Sequence, residues 1–295
     1  MFSKRVDRPF VNFILARQGK TWGLVAAAAL TLRSPRKHAT GGRSHGHDPS
    51  QQGQQKLAAG QTVFSLGGID TPDLVDQVGP LGVDAIWIEG EHGPIDFGRI
   101  PDLTRACDLW GMTSVVRVNA LHYGTIYRTL DLGAQGVCVP HIDTADHARQ
   151  FVEAAKFAPI GKRGLFTSRQ GYGVPDYLSV ANDQTLLIAL IEDIVAVENL
   201  DAILKVDQID VFFVAPSDLA ASMGKIGKIG DPAVVETIET TLKRIVAAGR
   251  NAGTMLVNNE KAEHYASMGV RFLATAIMPW LSKGIRDLKQ QIDGR

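Results

Sequence analysis

The sequence predicts a closed parallel (β/α)8 barrel of the TIM type, a single domain behind a basic, irregular extension, and three observations carry that expectation. Short β-branched or apolar runs recur eight times over about 230 residues. Longer segments of helical period lie between them, several opening on Thr or Asp and closing at Gly, the residues that cap helix starts and ends. Polar and titratable side chains gather where the runs end, as expected of barrels that place their chemistry at the C-terminal ends of the strands. A doubly wound open sheet shares the first two features and is the alternative topology.

In chain order, residues 1–55 form the extension and residues 56–295 the barrel. From Met1 to Asp48 there are nine basic residues against two acids, a net charge of +7. Because Lys+Arg 31 balances Asp+Glu 31 over the whole chain, the barrel carries −7. That balance argues against a surface built to hold nucleic acid or an anionic membrane. The apolar run Trp22–Leu32 is too short to span a bilayer, for which about 20 residues are needed. Residues 38–55 are polar, Gly-rich and aperiodic, the composition of a linker, and His38, His45 and His47 are read as solvated within it. The two cysteines, Cys107 and Cys138, fall in apolar segments without metal-ligand spacing, so buried thiols in a reducing, cytoplasmic compartment are expected. The basic extension leaves organellar targeting open.

The eight strands are expected at 63–68, 84–90, 114–119, 136–142, 185–193, 210–218, 253–258 and 271–278. Helical stretches such as TPDLVDQVGPLG, FGRIPDLTRACDLWG, TADHARQFVEAAKF and PAVVETIETTLKRIVAAG separate them. Residues 161–183 make a long connection, and long connections in compact domains are usually functional lids. Arg163, Arg169 and Tyr172 within it are read as selecting an anionic or hydroxylated substrate, or else as packing on a neighbouring subunit.

The strand ends supply the candidate chemistry. Strand two ends in Glu89-Gly90-Glu91-His92, strand three holds Arg117 and ends near Asn119, and strand four ends in Pro140-His141. Strand five ends in Glu192-Asp193, strand six in Pro216-Ser217-Asp218, and strand seven in Asn258-Asn259-Glu260. Glu192 and Asp218 close consecutive strands, which lie about 4.8 Å apart, so the two carboxylates could share one hard divalent ion. Capping of the helices that follow is the alternative reading for both. Arg117 interrupts the apolar run SVVRVN, where an unpaired guanidinium is costly, so it must face a carboxylate or an anionic ligand. Glu89 or Glu91 would make it a structural ion pair. His92 follows a strand end among acids, a setting suited to proton transfer. Gly171-Tyr172-Gly173 does not complete a dinucleotide loop, and the P-loop lysine and zincin motifs are absent.

The segments IWIEGEHGPID, VVRVN, DLGAQGVCVPHI, IEDIVAVENLDAI and VAPSDLAASMG, in this order and spacing, resemble the HpcH/HpaI family of metal-dependent (class II) pyruvate aldolases. The likeness runs from about Lys56 to about Lys283. It implies an enzyme that reversibly cleaves a 4-hydroxy-2-oxoacid to pyruvate and an aldehyde, with Mg²⁺, Mn²⁺ or Co²⁺, as a homo-oligomer, often a hexamer. It places the metal on Glu192 and Asp218, the active-site His on His92, the site's Arg on Arg117 and an Asp supporting the His on Asp131. It also places the pyruvate carboxylate at the backbone of Ala215 and Ser217.

This chain departs from the family pattern at several of these places. Leu190 stands where Gln is usual, His141 where Met is frequent, Asp193 where Thr is common and Glu89 where Asp is usual, and ATAIMPWL replaces the family's signal before the last helix. Competing expectations are another metal-enolate lyase of the malyl-thioester type and a catalytically silent barrel acting as a binding module. A nucleic-acid or membrane-surface role would rest on the extension alone.

Overall fold

The computed structural model describes residues 52–257 and 260–294, together with two short strands in the extension. These two, β1 (Leu15–Gln18) and β2 (Thr21–Leu24), pair antiparallel in a unit of their own. The linker histidines His38, His45 and His47, the rest of the apolar run after Leu24, and Asn258 and Asn259 lie outside the described residues.

The second unit holds the barrel. Its strands are β3 (Val63–Gly67), β4 (Ala85–Glu89), β5 (Thr113–Arg117), β6 (Gly136–Val139), β7 (Leu186–Ile191), β8 (Val211–Val214), β9 (Asn251–Met255) and β10 (Phe272–Ala276). They pair in parallel and in chain order, with β10 closing on β3. All eight predicted strands are present. Strands covered on both faces read as continuous apolar runs, which is why LLIALI and VFFV were recognisable without alternation.

Alternation decides which side chains fill the barrel. Val63, Ala85, Trp87, Val115, Cys138, Ile188, Leu190, Phe213 and Phe272 form one inward cluster. Trp87, Phe213 and Phe272 meet with ring centroids 5.1 to 6.5 Å apart, a spacing at which tilted aromatic pairs attract. Leu190, where the family favours Gln, is fully buried in that cluster, so an apolar plug lies beneath the rim. The intervening residues, among them Ile86, Ile88, Val116, Leu187 and Phe212, face outward to the helices.

Helix α1 (Gln52–Ala58) closes the N-terminal mouth, with Leu57 in the inward cluster. Its Gly53 N–H donates to Thr113 Oγ1 at 2.9 Å, and a Cβ there would stand as close to the same oxygen, so this approach requires Gly. The outer helices α2 (Pro72–Val78), α3 (Ile100–Trp110), α4 (Tyr123–Asp131) and α5 (Ala145–Ala155) follow β3 to β6. Thr71 and Thr144 accept the N–H groups of Leu74 and His147 as N-caps, and Gly111 ends α3 in the left-handed conformation. Next come α6 (Tyr177–Gln184), α7 (Ile194–Glu198), α8 (Leu200–Ile203) and α9 (Pro216–Ser222). The chain ends in α10 (Pro232–Ala247), α11 (Ala262–Ser267) and α12 (Ile277–Asp293). Among the described residues no helix is long and apolar enough to cross a membrane.

Two expectations are corrected by the direction of the chain. Each helix runs antiparallel to its strand, so a helix C-terminus lies at the N-terminal mouth, away from the rim. The long connection 161–183 links the end of α5 to the start of β7 and therefore lies at that far mouth. Arg163 pairs there with Asp131 at 2.6 Å, and Arg169 with Asp108 at 2.6 Å. Gln170 donates to the Gly133 carbonyl at 2.8 Å. The segment is a structural cover, and Arg163 and Arg169 do not face the substrate rim.

Candidate active site

Strand β4 delivers Ala85, Trp87 and Glu89 to the inner face, and the parallel register sets Glu89 beside Arg117 of β5. The guanidinium meets Glu89 Oε2 through Nε at 2.8 Å and through Nη2 at 2.6 Å, while Nη1 lies 3.0 Å from Glu91 Oε2. Trp87 underlies this pair, donating Nε1–H to Glu89 Oε2 at 3.3 Å with its ring 5.9 Å from the guanidinium carbon. The other oxygen of Glu89 accepts the backbone N–H groups of Glu91 at 2.8 Å and His92 at 3.0 Å, pinning the loop that carries His92. Gly90 permits the turn, because a Cβ there would stand 2.8 Å from the Arg117 carbonyl.

These contacts set the charges. Burial alone would raise the Glu89 carboxyl, but Arg117 and the two loop N–H groups outweigh it and hold Glu89 below the usual range. Glu91 goes the other way: burial raises it, and Arg117 and His92 only partly compensate. His92 is 68% exposed, with Nε2 3.7 Å from Glu91 Oε2. The rim thus holds a continuous His92–Glu91–Arg117–Glu89 array, aimed by one carboxylate that bonds both strand and loop.

Two strands further along the rim stands Glu192, only 3% exposed at the end of β7. It does not cap α7; the neighbouring Asp193 does, accepting the Val195 N–H at 2.8 Å. Glu192 Oε1 instead accepts the backbone N–H of His141 at 2.8 Å. Burial pushes the Glu192 carboxyl up, and the nearby charge of Asp218 adds to that, against the opposing pull of His141. Among the described residues no lysine or arginine pairs with Glu192. A desolvated carboxylate, raised further by a second carboxylate, is a donor set lacking its cation. The pair therefore fits the divalent ion that the resemblance implies. Asp218 is exposed in the first turn of α9. Among the described residues no group of three or more His, Cys, Asp or Glu side chains is placed to hold a metal ion.

Not every expected residue arrives here. Asp131 ends α4 and holds Arg163, whose side chain is 1% exposed; within the chain it lies at the opposite mouth from His92. Ala215 spends its N–H on the Ile191 carbonyl at 3.3 Å. Ser217 lies in the first turn of α9, where backbone N–H groups have no intrahelical partner. Trp87 was missed, although the alternation of AIWIE places it on the same face as Glu89.

The rim is therefore that of a barrel enzyme that gathers a buried carboxylate, Glu192, and a guanidinium held by two further carboxylates at one end of the strands. The profile of the HpcH/HpaI aldolase/citrate lyase family matches residues 62–278. A hydroxypyruvate/pyruvate aldolase of Cupriavidus necator is 37% identical over 226 residues, covering 75% of this chain and 84% of the relative. A 4-hydroxy-2-oxovalerate aldolase of Novosphingobium aromaticivorans is 38% identical over 209 residues, covering 70% and 80%. The crystal structure of an HpcH/HpaI aldolase/citrate lyase family protein from Burkholderia cenocepacia superposes with a TM-score of 0.77 at 28% identity, covering 81% of this chain and 98% of that one. The chain belongs to the HpcH/HpaI aldolase/citrate lyase family, and it is an aldolase, a carbon–carbon lyase.

Proposed function

We propose that this rim cleaves and forms the bond between C3 and C4 of a 4-hydroxy-2-oxoacid, giving pyruvate and an aldehyde. The observation that carries the reading is the buried Glu192 at the end of β7, separated by one strand from the Arg117–Glu89 pair on the same rim and without a lysine or arginine partner among the described residues. Glu192 and Asp218 would hold a divalent ion, Mg²⁺, Mn²⁺ or Co²⁺, which would supply Lewis acidity to the bound 2-oxoacid. In cleavage the 4-hydroxyl loses its proton, the C3–C4 bond breaks, its electron pair moves to C3 as the aldehyde leaves, and C3 then takes up a proton from solvent to give pyruvate. His92, exposed at the loop and beside Glu91, accepts that proton. Arg117 opposes the negative charge that grows on the C2 oxygen. Glu89 holds Arg117 and the His92 loop in one frame, so neither must reorganise as charge develops. The Ser217 end of α9 receives the pyruvate carboxylate. The buried free thiols Cys107 and Cys138 suit the reducing, cytoplasmic setting we assign it.

The test is pyruvate release, read with lactate dehydrogenase, from 4-hydroxy-2-oxoacids that differ in the aldehyde they yield. At least one is expected to turn over with Mn²⁺ or Mg²⁺. Turnover of malyl thioesters alone would move the reading to another lyase chemistry.

We also propose that the chain self-associates through α12. None of its 17 residues is buried, yet Met278, Leu281, Ile285, Leu288 and Ile292 repeat at alternating steps of three and four, the pattern of a helix seam. On the barrel wall beside it, Phe64 of β3 is left 36% exposed. An unfilled wall and an unpartnered seam on one chain are complementary surfaces for a second copy. Ile285→Glu with Leu288→Glu is expected to reduce the mass measured by light scattering to that of a monomer. A monomeric wild type would contradict this.

A further inference from the structure

The connection expected to select the aldehyde lies at the wrong mouth, so selection must come from the rim itself. The rim holds one side chain that the aldolase mechanism above does not use. His141 follows β6, between the strands that deliver Arg117 and Glu192, and stands at φ +54°, one of three non-Gly residues at positive φ among the described residues. That backbone is strained for a residue with a Cβ. It turns the His141 N–H onto Glu192 Oε1 and sets ring Nδ1 3.4 Å from the same oxygen. The ring is nonetheless 65% exposed, so with Nδ1–H toward Glu192 its other edge, where Nε2 is an acceptor, is left open.

We propose that His141 is a specificity-determining residue, accepting a hydroxyl hydrogen of the aldehyde partner at Nε2 and so favouring neutral hydroxyaldehydes over unsubstituted aldehydes. The field decides against an anionic aldehyde. Glu89, Glu91, Glu192 and Asp218 face one Arg117, and a divalent ion together with an anionic 2-oxoacid adds only one positive charge, so the mouth stays negative. A hydroxyl donates to the imidazole nitrogen without bringing further charge, whereas the methyl of an unsubstituted aldehyde offers it nothing and leaves the acceptor to water. This inference rests on the aldolase reading of the same site.

The test compares kcat/KM for condensation of pyruvate with glyceraldehyde and with propanal, in wild type, His141→Gly and His141→Asn, alongside Mn²⁺ binding by calorimetry. Gly retains the left-handed backbone and the N–H to Glu192 while deleting the ring; Asn tolerates the same backbone and restores an acceptor. The glyceraldehyde-to-propanal ratio is expected to fall about tenfold or more in His141→Gly and to recover in part in His141→Asn, with the Mn²⁺ Kd shifting less than about threefold. An equal loss on both aldehydes would make His141 a merely structural residue and overturn the proposal. A weakened Mn²⁺ Kd that accounts for the loss would overturn it in favour of a role at the metal. If wild type condenses pyruvate with neither aldehyde nor any other, the aldolase reading fails instead.

Discussion

Glu192→Gln is expected to weaken Mn²⁺ or Mg²⁺ binding by about a hundredfold or more and to remove measurable pyruvate release, while the metal-free protein stays folded. The amide keeps the shape and the acceptor for the His141 N–H, so only the charge is lost. Stability should move in the opposite direction from activity. The folded-state pKa of Glu192 is raised, so its favourable contribution is complete below the ordinary carboxylate value of about 4.3 and is lost as pH rises through the elevated one. At pH 8 the metal-free wild type carries a buried, cation-less charge and the variant does not. Differential scanning calorimetry in EDTA is expected to give the variant a Tm equal to or a few degrees above wild type, the relation reversing when Mn²⁺ is added. A variant that melts well below wild type in EDTA would mean that Glu192 is a structural group.

Arg117→Lys is expected to lower kcat/KM by about 10²- to 10³-fold, the usual cost of removing a placed donor from a developing oxyanion. One ammonium cannot reproduce three N–H donors reaching Glu89 and Glu91 at 2.6 to 3.0 Å. The loss should fall on kcat more than on KM, because the charge being opposed grows during bond cleavage. Arg117→Ala should cost stability as well, about 3 kcal/mol, since Glu89 and Glu91 would be left facing each other without a cation. Glu89, held below its ordinary pKa by Arg117, contributes stability that is present at neutral pH and lost as pH falls through the depressed value. Without Arg117 that acid limb should move to higher pH, which a series of Tm measurements between pH 3 and 7 would show.

Much of this site could be read from the sequence because a barrel strand reports its own ends. Arg117 in SVVRVN and Glu192 after LLIALI are charges set against apolar runs, and parallel register alone brings Glu89 to Arg117. Strand-to-helix order also held the answer for residues 161–183 and for Asp131. Both follow a helix and precede a strand, which fixes them at the N-terminal mouth; connection length and motif position pointed elsewhere because neither encodes which mouth a loop serves. Other features were not accessible from pattern. An amphipathic helix reads the same whether its seam lies on its own barrel or on another copy, so the exposure of α12 emerges only in three dimensions. The left-handed backbone of His141 is likewise silent in Pro-His-Ile, where nothing marks a positive φ.

The central claim is that the Glu192–Asp218 pair holds a divalent ion without which the 2-oxoacid cannot be cleaved. The most direct measurement is pyruvate release by wild type stripped with EDTA and then titrated with Mn²⁺. The account requires turnover to vanish on stripping and to return in proportion to ion bound at one site per chain. Undiminished pyruvate release from metal-free protein would contradict it.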